Sequence, residues 1–145
     1  MGKIAWGRVL VGGIVAGVVF NVFEFVLYGV ILGTAWQEAM IALGKTREQM
    51  EAARASSMTL LVLWAFLAAI FGTWLYAAIR PRYGAGSKTG ITAGIWAWFA
   101  LCVMPGLINI AFSLYPNVLI LQSMAGEFVG LVASVLVGAW LYKEA

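Results

Sequence analysis

The chain has 145 residues, of which 63% are hydrophobic and only 10% are charged, which excludes an ordinary soluble domain with about 45–50% apolar and about 25% charged residues. Its net charge of +3 is spread over the ends of hydrophobic runs rather than gathered in one basic cluster, which argues against a nucleic acid partner. The sequence predicts an all-α fold, an integral membrane four-helix bundle, as a single transmembrane domain over residues 1–145.

Four runs are long and apolar enough to cross the roughly 30 Å hydrocarbon core of a bilayer. They cover about residues 8–33, 58–79, 89–114 and 118–142. The first run contains Glu24, but sixteen Val, Leu, Ile and Phe residues between Val9 and Leu32 outweigh the cost of one central charge. We therefore expect four transmembrane helices, with the lipid bilayer as the main partner.

Four spans place both termini and the second loop on the same side of the membrane. That side carries Lys3, Arg8, Arg80, Arg82, Lys88 and Lys143. The opposite side carries only Lys45, Arg47 and Arg54. Because basic residues are enriched in cytoplasmic segments, this excess predicts a multi-pass protein of the cell (inner) membrane with both termini in the cytoplasm.

The loop over residues 34–57 is the only sizeable extramembrane segment, and its first half has an apolar side suited to the membrane interface. That side is formed by Trp36, Met40, Ile41 and Leu43. Thr46 and Gln49 then have the spacing of a capping box, which predicts a helix over residues 47–79. At 1.5 Å per residue this second helix spans roughly 50 Å, so we expect it to extend beyond the membrane.

The connections around the third span carry helix-breaking residues. The segment 80–84 contains Pro81 and Gly84 and predicts the end of the second helix, after which Ser87 or Thr89 can cap the third. The third and fourth spans are joined only by the turn at residues 115–117, so they must be antiparallel neighbours.

Small residues recur at four-residue spacing and allow close helix packing in lipid. They are Gly13, Gly17, Gly90, Gly94, Gly126, Gly130, Ser134 and Gly138. Two interpretations stay open: packing within one protomer, or an interface in a homo-oligomer or with a membrane-protein partner. The run in the fourth helix is the best candidate for such an interface.

Residue types needed for most enzyme chemistry are absent. The chain has no His and no Asp, and Cys102 is its single cysteine, which we expect to be a buried, inert thiol. These absences exclude an imidazole base, a Cys-His pair and the usual metal ligand sets. The sequence therefore predicts no enzyme, no cofactor and no metal site.

Two acidic residues and a proline fall at one depth. Glu24, Glu127 and Pro105 each lie nine residues from the predicted non-cytoplasmic end of their helix, about 14 Å into the membrane. Asn21 is one turn from Glu24, and Pro105 cannot bond the carbonyl of Leu101, so the third helix is expected to be kinked there. These five residues form the candidate site for a proton, a cation or another ligand.

Charged carboxylates are costly in hydrocarbon, so the two Glu side chains should face the bundle interior with a partner, a proton or a bound cation. This pattern is typical of a proton- or cation-coupled transporter or a channel-like oligomer, which is the leading hypothesis. The alternative is a structural or accessory membrane subunit that packs through Gly-rich helix faces, with the Glu pair as neutral hydrogen-bonded contacts.

Other polar and aromatic residues are weaker candidates. Asn109, Gln122 and Ser123 form a second, shallower polar layer near the third loop, where polar side chains usually reach water or cap backbone. Aromatic residues in the spans could line a pocket for an apolar or cationic ligand but are more often core or lipid-facing. They are Trp64, Phe66, Trp96, Trp98 and Phe99.

The stretch from Tyr28 to Trp36, followed by Leu43-Gly44 and Thr46 to Met50, resembles a family of small four-span bacterial membrane proteins known only as a domain of unknown function. The segment from Asn109 to Phe112 before the Gly-rich last helix is also similar. Leu27 and Val30 stand where that family has Trp and Pro. The resemblance implies the four-span topology and a bacterial origin, and it implies no activity, ligand or catalytic residue.

Overall fold

The computed structural model describes residues 4–142, and this part of the chain contains helices and no strand. The five helices are α1 Trp6–Ile31, α2 Gly33–Ala42, α3 Arg47–Tyr83, α4 Ser87–Ala111 and α5 Asn117–Leu141. All except α2 are long and apolar enough to cross a membrane, so the prediction of an all-helical chain with four such helices is confirmed. Lys3 and Lys143, which contribute to the predicted orientation, lie outside the described residues.

Two of the long helices change their winding along their length. In α1 the α-helical part Trp6–Glu24 continues as a π-helix over Phe25–Ile31, and in α4 a π-helix over Phe99–Val103 separates Ser87–Trp98 from Met104–Ala111. A π-helix is wider than an α-helix and frequently occurs at functional sites. Both wider segments border the carboxyl layer, and only the one in α4 adjoins a proline.

The bundle core is made by close packing of small residues. Helix α1 packs against α3 and α5, and α4 packs against the same two helices. Gly13 faces Ile70 and Gly17 faces Phe66, so α1 and α3 approach each other with no side chain of α1 between them at these points. Gly90 meets Leu136 and Ala139 of α5.

The small residues of α5 also face the interior of the protomer. Gly126 meets Leu27, Gly130 meets Phe23, and Gly138 meets Thr73. The remaining members behave in the same way: Gly94 meets Val132 of α5, and Ser134 is buried and donates to the carbonyl of Gly130 at 2.6 Å. The interpretation of these α5 residues, the stripe from Gly126 to Gly138, as an interface between protomers is therefore wrong. Residues of α1 and α3 of the same chain already cover this stripe.

Helix α3 begins as predicted and ends later than predicted. Thr46 Oγ1 accepts from the Gln49 backbone N–H at 3.1 Å, and Gln49 Oε1 accepts from the Thr46 N–H at 3.0 Å, which confirms the capping box. The segment 80–84 ends the helix as predicted, but the predicted last residue, Ile79, is four residues too early, because the helix runs through Pro81 to Tyr83. It ends at Gly84, whose φ of +84° strongly favours glycine.

The start of α4 has no side-chain cap. The helix follows Gly86, which makes no side-chain cap hydrogen bond, so the predicted capping by Ser87 or Thr89 is wrong. The Thr89 hydroxyl instead donates to the carbonyl of Gly84 at 2.8 Å. It thus bonds the end of the preceding helix rather than the start of its own.

The loop over residues 34–57 is largely helical. Its first half forms α2, which covers the ends of α1 and α5 through an apolar cluster of Leu27, Leu32, Ala39 and Leu119. Its second half is the start of α3, whose residues 47–63 are exposed apart from the partly buried Met50. With 37 residues α3 is about 55 Å long, well beyond the roughly 30 Å of a hydrocarbon core.

Candidate functional site

Helices α1 and α5 bring Glu24 and Glu127 into one layer. Because Leu27 lies opposite Gly126 and Phe23 lies opposite Gly130, this antiparallel pairing places the two carboxyls within about one helical turn of each other. They lie close enough to interact electrostatically, and both side chains are largely enclosed by the bundle. The structure thus places the two acidic residues singled out in the sequence at one level of the bundle.

Glu127 accepts a hydrogen bond from one neighbouring helix and lies near a thiol of another. The Tyr28 hydroxyl of α1 donates to Glu127 Oε1 at 2.6 Å, a short bond typical of a charge-assisted or strongly polarised pair. The buried Cys102 thiol of α4 lies within hydrogen-bonding reach of the same carboxyl. Glu127 therefore connects α1, α4 and α5 in the middle of the bundle.

Glu24 is placed differently from Glu127. Its Oε1 is buried and has no hydrogen-bond partner among the described residues. Most buried polar side chains in proteins have such a partner, because removing one from water otherwise costs about 1–3 kcal/mol. The unpartnered oxygen next to a second carboxyl is thus the feature of this site that needs a chemical explanation.

A second group of polar contacts continues from Glu127 towards α2. The Ser123 hydroxyl of α5 lies near the Tyr28 hydroxyl. On its other side, Ser123 Oγ accepts from Trp36 Nε1 of α2 at 3.1 Å. The rings of Tyr28 and Trp36 lie 6.1 Å apart, and Trp36 makes an edge contact with Tyr115 at 4.9 Å.

Asn21 does not join the carboxyl layer in this structure. Its amide donates to the carbonyl of Gly17 at 2.8 Å, one turn back in the same helix. The side chain borders a groove of about 330 Å³ between α1 and α3, together with Phe25 and Phe66. The expectation that Asn21 partners a carboxyl is wrong because this side of α1 faces α3, whereas Glu127 lies on α5.

Leu101 and Pro105 also lie away from the acidic oxygens. The π-helical turn before Pro105 shifts the backbone bonding, since the Met104 N–H donates to the carbonyl of Phe99. The Leu101 side chain lines a groove of about 210 Å³ with Trp64 and other residues of α3, and Pro105 is exposed. A freed Leu101 carbonyl and a kink at this level stay predictions.

The shallower polar layer separates into unlike residues. Asn109 donates to the carbonyl of Pro105 at 3.0 Å, and Gln122 is exposed. Only Ser123 is buried and in contact with the carboxyl site. The prediction that these three residues form one polar layer is therefore wrong. Ser123 faces α1 and α2, whereas the other two side chains do not.

The aromatic residues of the spans occupy several environments. Trp64 contacts Phe20 with ring centres 5.7 Å apart, and the Trp98 indole donates to the carbonyl of Met124 at 2.8 Å. Trp96, in contrast, is 59% exposed. Phe66 packs over Gly17, and Phe99 packs against Trp96. These aromatics do not converge on one pocket.

Sequence reasoning missed Tyr28, Cys102 and Trp36 as members of the site. Tyr28 had a usable signal, because it follows Glu24 by four residues and so lies on the same helix face. Cys102 had none, since its position depends on how α4 packs against α5. Trp36 resembled an ordinary interfacial aromatic, and only the fold brings its indole N–H to Ser123.

Comparison of the chain with models of known protein families, with curated proteins and with solved structures gave no match. The resemblance to the small four-span bacterial family stays a prediction. The functional argument accordingly depends on the geometry of the carboxyl site.

Proposed function

We propose that this chain is an integral membrane protein whose four long helices enclose a proton- or cation-binding carboxyl pair, formed by Glu24 and Glu127. It works as a small transporter or channel-like oligomer in a bacterial cell membrane, with both termini in the cytoplasm. The excess of basic residues on the side of the termini and the apolar composition of the helices support this placement.

The observation that carries the proposal is the placement of two largely enclosed carboxyls at the same level of an apolar bundle. Two charged carboxylates side by side in a low-dielectric interior repel each other and lose their hydration, so at least one must be neutralised. No basic side chain occurs in the sequence of these helices within two turns of Glu24 or Glu127. A proton or a bound cation is therefore the natural means of neutralising the pair.

The surrounding donors give the two carboxyls different roles. Glu127 accepts from Tyr28 and has the Cys102 thiol in reach, so its oxygens act as hydrogen-bond acceptors. Glu24 Oε1 has no donor among the described residues. This asymmetry suits a pair that shares one proton or cation, with Tyr28 holding Glu127 in place and Glu24 Oε1 left open to the shared ion.

Flux in proteoliposomes tests the proposal. The vesicles are given a potassium diffusion potential, and a pH-sensitive dye inside them reports proton movement. Sodium and potassium movements are measured in separate runs. The native protein should move at least one of these ions faster than empty vesicles. Glu24→Gln/Glu127→Gln should reduce this movement to the level of empty vesicles, because neutral amides cannot bind and release a proton.

Glu38→Gln is the matched control, because Glu38 is an exposed carboxyl of α2 and should leave flux unchanged. A folded double variant with native flux would contradict the proposal. Absence of flux of all three ions through the native protein would also contradict it.

One observation favours the alternative of an accessory subunit. Residues 47–63 of α3 leave the bundle and are exposed apart from Met50, so this part of the helix has no partner within the described chain. A larger membrane complex could bind there, with Tyr28 and Glu127 as a neutral contact between helices. Under this alternative the double Gln variant still folds and the native protein transports no ion.

A further inference from the structure

A line of neighbouring polar groups runs from Glu127 to α2, the helix that covers the outer end of the bundle. Tyr28 donates to Glu127 Oε1 at 2.6 Å, Ser123 lies beside the Tyr28 hydroxyl, and Trp36 donates to Ser123 Oγ at 3.1 Å. These groups come from α1, α5 and α2. No two neighbours in this line are adjacent in sequence, so the line exists only in the folded bundle.

The groups in this line differ in what they can do with a proton. A hydroxyl both donates and accepts, so Tyr28 and Ser123 can each receive a proton on one side and release one on the other. The Trp36 indole only donates and keeps its hydrogen, so it cannot pass a proton on. The line can therefore conduct from Ser123 to Glu127, and Trp36 occupies the position from which a water molecule would supply Ser123.

The opposite side of the carboxyl layer is closed. One turn below Glu24 in α1, Phe20 is 0% exposed, and one turn beyond Glu127 in α5, Leu131 is also 0% exposed. Val135 and Thr73 continue this fully buried core towards the ends that carry the termini. The two hydroxyls of this core, those of Thr73 and Ser134, each donate to a carbonyl of their own helix and make no hydrogen bond towards the carboxyls. We therefore take α2 as the side from which access to the carboxyl pair is easiest.

Trp36 is held in place by its aromatic neighbours. Its ring makes an edge contact with Tyr115 at 4.9 Å and lies 6.1 Å from Tyr28, and α2 rests on an apolar cluster at the ends of α1 and α5. The Tyr115 hydroxyl donates to Met40 Sδ at 3.9 Å, again within this cluster. These contacts fix the indole over Ser123 without any charged group, so a modest shift of α2 would uncover the relay.

We propose that the carboxyl pair exchanges its proton with the aqueous phase on the α2 side through Ser123 and Tyr28, and that Trp36 closes this route. This inference rests on the proposed function. When Trp36 moves aside, a hydronium ion gives a proton to Ser123 and leaves as water, Ser123 passes its own hydroxyl proton to Tyr28, and Tyr28 passes its own to Glu127. Each hydroxyl gains and loses one proton, and the carboxylate becomes a carboxylic acid.

Hydrogen–deuterium exchange of the carboxyl proton tests the route. The full-length protein in nanodiscs is diluted into D₂O, and the shift of the C=O band of the protonated carboxyl is followed by time-resolved infrared spectroscopy. Tyr28→Phe and Ser123→Ala should each slow the exchange by roughly 100-fold or more, since a positioned proton-transfer group typically contributes about 10²- to 10⁴-fold. Trp36→Ala should accelerate it, because the outer end of the relay becomes open to water.

Tyr83→Phe is the matched control, because it also removes a phenolic hydroxyl but from an exposed side chain at the end of α3, away from the relay and from Trp36, and it should leave the exchange rate unchanged. Native exchange rates in folded Tyr28→Phe and Ser123→Ala proteins would overturn the proposed route while leaving the carboxyl site intact. Loss of the protonated-carboxyl band from the native spectrum would instead overturn the proposed function, and the route with it. The two small substitutions keep the test valid if Trp36→Ala does not fold.

Discussion

Gly13→Ala should lower the free energy of unfolding by about 1–3 kcal/mol, the usual cost of overpacking a closely packed interior. A Cβ at residue 13 would lie 2.7 Å from Ile70 Cγ1 and 2.8 Å from Ile70 Cα. The second of these is a backbone atom, so no rotamer change relieves the contact and α1 must move away from α3. In lipid, close backbone approach is a main source of helix association, so this separation also weakens neighbouring contacts.

Gly7→Ala is the control for this prediction. Gly7 lies in the same helix, and a Cβ there would meet no atom within 4 Å. Reversible unfolding in mixed micelles, followed by circular dichroism, compares the two variants. Equal stabilities of Gly13→Ala and Gly7→Ala would contradict the packing of α1 against α3 described above.

The bundle should tolerate a lysine in place of one internal glutamate only while the other glutamate is present. In Glu24→Lys, Glu127 supplies the opposite charge inside the bundle, so the protein should fold. In Glu24→Lys/Glu127→Gln the ammonium group has lost this partner, and an unpaired buried charge costs about 3–5 kcal/mol. The second substitution should therefore be far more destabilising in the Lys background than in the native chain.

A double-mutant cycle measures this coupling by the same unfolding assay. The four proteins of the cycle are the native chain, Glu24→Lys, Glu127→Gln and the combined variant. Side chains without contact give additive effects within about 0.3–0.5 kcal/mol. Additivity in this cycle would show that the two residues do not face each other, and it would remove the basis of the carboxyl site.

The four long helices could be predicted from the sequence because each is a long run of hydrophobic residues. The capping box at Thr46 and Gln49 also fixed the start of α3 correctly, since it depends only on neighbouring residues. Equal distances from the helix ends correctly placed Glu24 and Glu127 at a similar depth, because helical rise is constant. These features depend only on neighbouring residues in the sequence and on the constant rise of a helix, so no knowledge of the packing is needed to predict them.

The partners of the carboxyls could not be predicted in the same way. Depth along a helix does not determine rotation about its axis, which decides that Asn21 bonds Gly17 while Tyr28 reaches Glu127. The π-helical segment Phe25–Ile31 also changes the face on which later residues of α1 lie, and no proline indicates it in the sequence. Cys102 joins the site only through the packing of α4 on α5.

The packing partners of the small residues could not be predicted from the sequence either. A stripe with four-residue spacing predicts close packing but does not say which helix it meets. In α5 that stripe meets α1 and α3 of the same chain, as Leu27 at Gly126 and Thr73 at Gly138 show. The oligomer that we propose must therefore use other surfaces, such as the exposed residues 47–63 of α3.

The protonation state of the internal carboxyls can be measured by infrared titration of the protein in nanodiscs. The account predicts a protonated-carboxyl C=O band that disappears and returns reversibly as the pH is raised and lowered, or as a binding cation is added and removed. Glu24→Gln and Glu127→Gln should each alter this band, and the double variant should lack it. A native spectrum without the band, or a band that persists unchanged at every pH and cation concentration tested, would contradict a proton- or cation-exchanging pair inside this bundle.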